Sequence, residues 1–173
     1  MLQNTMKFSI EETSEGKKLF LSEEIDENAS FSDLETIKTK VLIVDLNGIR
    51  KLNSMGLKKW IMWTRSQAGT QFVFSRCPAA IVNQMNILEG FLPQGSIVDS
   101  FYIPYKCDSC GAEHSQLAQR NFDYQEATND QPLRIALAST RPCENCDETM
   151  EWDVIEKLYF RFLSPRRPFS IAK

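Results

Sequence analysis

Apolar and polar residues alternate at the start of the chain, and the period then changes several times, marking out elements. In MKFSIEE, residues 6–12, Phe8 and Ile10 fall on one face, as in a half-buried strand. A turn at Glu15-Gly16 and the run KKLFLSEEI predict a second strand and a hairpin. After Ala29 and Ser30, Phe31, Leu34 and Ile37 recur at three-residue steps, which predicts a short helix. VLIVDL, residues 41–46, is apolar on both faces up to Asp45 and reads as a central strand covered by helices.

Beyond a turn at Asn47-Gly48, residues 55–67 have helical spacing. Leu57, Trp60, Ile61 and Thr64 face inward there, and Lys58, Lys59 and Arg65 face water. QFVFS, residues 71–75, predicts the next strand, Pro78 opens a helix that ends before Gly90, and SIVDSFYI, residues 96–103, predicts a further strand. Strands alternating with helices imply α/β architecture with a mostly parallel sheet and right-handed crossovers. Residues 104–150 break this rhythm with a polar, turn-rich stretch. In residues 151–163, Trp152, Ile155, Leu158, Tyr159 and Phe162 predict a last helix that returns to the sheet. The expected organisation is therefore a sheet domain over 1–103 completed by 151–163, an insertion at 104–150, and an irregular, proline-containing tail at 164–173.

Composition narrows the class. Of 173 residues, 42% are hydrophobic and 25% charged, the balance of a globular protein. A net charge of −3 argues against a nucleic-acid binder that relies on bulk electrostatic attraction. No stretch is long and apolar enough to span a membrane, and MLQNTMKFSIEE lacks the basic head and apolar core of a secretory signal, so a cytoplasmic location is expected.

The strongest chemical signal is Cys107-x-x-Cys110 with Cys143-x-x-Cys146. A glycine follows the first pair and a proline precedes the second, the setting of knuckles in which a tight turn aims two thiolates at one metal. Two knuckles supply four sulfurs, which suits a tetrahedral zinc ion. The 32 intervening residues fit a zinc ribbon with a long loop or hairpin, of which LRIALAS would be one strand. A redox pair would precede a helix in a thioredoxin-like unit, and an iron–sulfur site is the rarer use of this spacing. With four thiolates filling the tetrahedron, the ion is structural, and His114 is a surface or neighbouring residue. Cys77 reads as a small buried apolar side chain.

VLIVDLNGIRKLNSMGLKKW resembles the signature of STAS domains, in which a strand ending in aspartate leads to an aspartate-serine-x-glycine turn that opens a helix. LSEEIDENASF is similar to that family's earlier glycine-glutamate-hydrophobic-aspartate segment, with Glu23 where the glycine stands. The resemblance covers about residues 6–103 and 151–163, and the cysteine module is an insertion relative to it. It implies a bacterial regulatory module like the anti-sigma-factor antagonists, which bind an anti-sigma kinase until a serine of the signature turn is phosphorylated. Ser54 matches that serine and Gly56 the glycine; Asn53 replaces the aspartate and Met55 the usual small residue.

Independently of the family, Ser54 is placed to cap a helix, worth about 1 kcal/mol. A phosphate there would sit at a helix N-terminus and change the sign of a surface formed by Arg50, Lys51, Asn53, Met55, Lys58 and Lys59. The plain cap is the leading reading of the residue itself. With one histidine and no phosphate-binding loop, no catalytic constellation is visible, and Asp26 and Asp45 read as closing strands and capping turns. Two functions follow: a signalling module contacting a protein partner, an anti-sigma-type kinase among the candidates, or a scaffold whose ribbon and aromatic tail make the contacts. A homodimer in which a second copy covers an edge strand or the ribbon is a further expectation. Residues 110–143 mix acidic and basic groups without basic–aromatic interleaving, which disfavours nucleic acid.

Overall fold

The computed structural model describes residues 5–165, and the chain divides into two compact units, Met1–Ser100 and Phe101–Lys173. The first unit contains the predicted hairpin, β1 (Met6–Glu12) and β2 (Lys17–Ile25), followed by β3 (Val41–Leu52), α1 (Ser54–Ser66), β4 (Gln71–Ser75), α2 (Ala79–Ile87) and β5 (Ile97–Val98). These five strands form one sheet in the order β1-β2-β3-β4-β5. The β1–β2 pair is antiparallel, and β2–β3, β3–β4 and β4–β5 are parallel.

Three local expectations are corrected. Phe31, Leu34 and Ile37 are buried as predicted, but only Ser32–Leu34 is helical, and it is 3-10. Apolar steps of three match the three-residue turn of that helix better than the 3.6 of an α-helix. Asn47-Gly48 is no turn, because β3 runs through it to Leu52. Gly48 permits a close approach instead: a Cβ there would lie 2.6 Å from Ser22 Cβ, beside a register shift in the β2–β3 ladder. SIVDSFYI is two strands. The Ser100 carbonyl accepts from Cys77 N–H at 3.0 Å and its hydroxyl accepts from Arg76 N–H at 2.9 Å. These bonds anchor the chain beside the end of β4, and pairing with β4 stops at Val98.

The core of this unit is aromatic. Trp60 and Trp63 of α1 are buried, although only Trp60 is on the predicted stripe. Trp60 stacks on Phe91 at 5.3 Å between centroids and donates from Nε1 to the Phe91 carbonyl at 3.0 Å; Trp63 stacks on Phe31 at 5.0 Å. Gly56 explains the rotation of the helix. A Cβ at this position would be 1.9 Å from the Ile25 carbonyl oxygen, so the first turn of α1 lies against the end of β2. The inward stripe is then Gly56, Trp60, Trp63 and Thr64.

In the second unit, β6 (Ser100–Lys106), β7 (Glu113–Gln119), β10 (Thr140–Pro142) and β11 (Thr149–Trp152) form a sheet in the order β10-β11-β6-β7. The Arg134–Ile135 part of LRIALAS is β9, which pairs with β8 (Tyr124–Gln125) in a separate two-stranded sheet. The helix expected over residues 151–163 is not continuous. β11 ends at Trp152, α3 spans only Glu156–Tyr159, and a 3-10 turn covers Arg161–Leu163. Its apolar spacing does not describe one buried face, because Ile155 and Leu158 are 69% and 58% exposed. Tyr159, Phe160 and Phe162 are buried, and each has its ring against Phe101. This segment belongs to the second unit rather than completing the first. Of the tail, residues 166–173, including Phe169, lie outside the described residues.

Candidate metal centre

Each cysteine pair occupies the tip of a strand pair. The first lies between β6 and β7, the second between β10 and β11, and β11 pairs antiparallel with β6 through Glu151–Lys106 and Trp152–Tyr105. Sheet pairing thereby sets the two tips side by side. The tips share one backbone geometry. Gly111 N–H donates to the Cys107 carbonyl at 2.8 Å, and Asp147 N–H donates to the Cys143 carbonyl at 3.1 Å. The return bonds run from Cys107 N–H to Ala112 O and from Cys143 N–H to Glu148 O.

Both turns close on a residue with positive φ, Gly111 at 74° and Asp147 at 58°. Glycine adopts that conformation freely, while aspartate is among the few side chains that tolerate it. Gly111 was visible as a turn residue in the sequence; Asp147, at the same place in the second knuckle, was not.

The four Sγ atoms lie within 4.8 Å of one another. Cys107–Cys146 and Cys110–Cys143 are each 3.6 Å apart. A disulfide needs about 2.05 Å between sulfurs. A tetrahedral ion with metal–sulfur bonds of about 2.3 Å sets the sulfurs about 3.8 Å apart, close to the spacing found. The donor set therefore fits a four-coordinate thiophilic metal ion. Cys107 and Cys143 are buried and Cys110 is exposed.

Protonation of the thiols shows why this cluster suits a cation. The backbone N–H of Cys110 leads in holding the Cys107 thiol down to about 7, against desolvation. At Cys146 the Glu148 N–H acts in the same direction, but the Cys110 thiol, desolvation and the other two thiols outweigh it, and the group is pushed up to about 12. One thiolate forms readily, whereas a full set of four requires a positive ion among them. Four protein ligands leave no position for substrate, so such an ion would hold structure.

His114 is outside the cluster, with its ring 6.3 Å from that of Tyr105. Cys77 is wholly buried, and burial, with the charges of Asp45 and Asp99, pushes its thiol well up. Asp26 does cap the turn after β2, its Oδ1 accepting from Asn28 and Ala29 N–H. Asp45 does not close a strand; it is buried within β3 and ion-paired with Arg76 at 2.6 Å.

The structure also sorts the residues around Ser54. The helix cap is Asn53, whose side-chain oxygen accepts from Gly56 N–H at 2.9 Å, while its Nδ2 donates to Glu27 at 2.6 Å. Ser54 follows as the first helical residue, exposed to solvent, so the expectation that it is the cap is corrected. Lys59 is not a free charge either, since Nζ donates to the carbonyls of Glu27 and Ala29 and pins the turn after β2. Arg50 and Lys51 pair loosely with Glu23 at 3.8 Å and Glu24 at 3.6 Å. Met55 and Lys58 are exposed.

No family model, curated protein or solved structure matches this chain. Among the described residues, no helix is long and apolar enough to cross a membrane.

Proposed function

We propose that this chain is a non-enzymatic, STAS-like regulatory module that binds a protein partner through the start of α1, with a zinc ion fastening its second unit. The observation that carries the reading is the exposed position of Ser54. With Asn53 as cap, the Ser54 hydroxyl is not committed to the helix and is open to a kinase. A phosphate would be favoured by the helix N-terminus and would place about two negative charges beside Lys58 and Met55.

Two details support the family resemblance. Gly56 occupies a place where a Cβ would collide with Ile25. Glu23, aligned with a family glycine, has φ of 72°, a conformation natural to glycine. The proposed partner is an anti-sigma-type kinase, and the proposed compartment is the cytoplasm, where thiols stay reduced for metal. Zinc is the assignment because four thiolates in a tetrahedron suit it and it needs no open ligand position.

The test is affinity capture from the native extract with wild type, Ser54→Ala and Ser54→Asp, combined with phosphopeptide mass spectrometry. Capture of a partner by wild type and Ser54→Ala, its loss with Ser54→Asp, and a phosphate on Ser54 are the expected results. Retention of the same partners by all three would instead favour a scaffold that works through its second unit. That reading draws on the exposed Phe122, Ile155 and Leu158.

A further inference from the structure

Among the described residues, β1 is an edge strand, paired only with β2. Its ladder with β2 runs from Met6 to Glu12 without a register shift, and it contains no proline. The bulges, prolines and short lengths that commonly protect an edge are therefore missing. Phe8 and Ile10 pair with the buried Leu21 and Leu19, so they lie on the core face at the sheet's margin. Ile10 remains 39% exposed. On the opposite face are Lys7, Ser9 and Glu11, all exposed.

We propose that β1 pairs antiparallel with β1 of a second copy about a two-fold axis at Ser9, joining two five-stranded sheets into one. This register sets Lys7 opposite Glu11 of the other copy, twice, and Phe8 opposite Ile10, twice. Opposed residues in an antiparallel pair share a face, so Phe8 and Ile10 continue the core margin across the axis and each Lys7 meets a Glu11 carboxylate, while Met6 falls opposite Glu12 at the two ends of the ladder.

Neighbouring registers fail. A shift by one residue sets Phe8 against Glu11 or Lys7 against Ile10, and so mixes the two faces. A shift by two keeps the faces but separates Lys7 from Glu11. A parallel, in-register pair would oppose like charges. Lys7 is free to serve this contact, because its 3.7 Å pair with Glu23 is loose and its side chain is 74% exposed.

The register predicts a charge-swap pattern, readable by sedimentation velocity across a concentration series on the full chain of 19.9 kDa. Wild type should show a monomer–dimer equilibrium. Lys7→Glu and Glu11→Lys should each weaken it about tenfold, since each places two like-charged pairs across the axis. The double variant should recover the wild-type constant. An equimolar mixture of the two single variants should form heterodimer, because every opposed pair is again of opposite sign. Circular dichroism should be unchanged throughout, as both side chains are exposed.

A monomer at every concentration, a dimer indifferent to the reversals, or a mixture that fails to associate would each overturn the proposal. Ser54→Asp should leave the dimer constant unchanged, so failure of this inference and failure of the Ser54 reading are separately visible.

Discussion

The two units of this chain are held together by different means. The first surrounds Trp60 and Trp63 with Phe31, Phe72, Phe74 and Phe91 between helix and sheet. The second has narrow sheets, including two-residue strands, and an aromatic group around Phe101, but fewer buried apolar residues than the first. It adds four cysteines gathered from two tips. A unit with a large apolar core gains its stability from burial, whereas a small one commonly needs a metal or a cross-link. The cysteines are found where the core is thinner.

The largest expected effect comes from breaking the centre. Cys143→Ser should abolish stoichiometric metal, because apparent binding energies of structural zinc sites, about 10–16 kcal/mol in small domains, are folding energy for the residues they organise. Metal analysis should fall to background, and amide protection in β6, β7, β10 and β11 should go with it. The first unit should keep its protection.

The converse break is Trp60→Ala. Loss of a fully buried ring and of its bond to the Phe91 carbonyl should cost about 3–5 kcal/mol of first-unit stability, seen in denaturant melts, while leaving metal content unchanged.

Smaller and sharper is the pair at the start of α1. Asn53→Ala should cost about 1 kcal/mol through the lost cap, and Ser54→Ala should stay within about 0.5 kcal/mol. Equal costs would return the cap to Ser54.

The four-cysteine cluster was legible in the sequence because two C-x-x-C pairs carry their geometry in their spacing. Most strands and both α-helices of residues 6–87 were legible because burial on one face imposes a period; the 3-10 turn at Ser32–Leu34 and the run of β3 through Asn47-Gly48 were not. What escaped notice depended on neighbours distant in sequence. Trp63 faces inward because Gly56 lets α1 approach Ile25, which no local pattern records. Asn53, rather than Ser54, is the cap because Asn53 is extended and accepts from Gly56 N–H, and its amide also meets Glu27, far off in sequence. Residues 151–163 have helical spacing, but Trp152 belongs to β11, which pairs with β6, and tertiary pairing overrides that pattern.

The dependence of the second unit on a bound metal is read by hydrogen exchange and mass spectrometry on the full chain before and after removal of metal with a strong chelator. One metal ion per chain is expected before removal. Protection should then be lost in residues 101–152 and retained in residues 6–98. No bound metal in freshly prepared, reduced protein, or unchanged protection around the knuckles after its removal, would contradict that dependence.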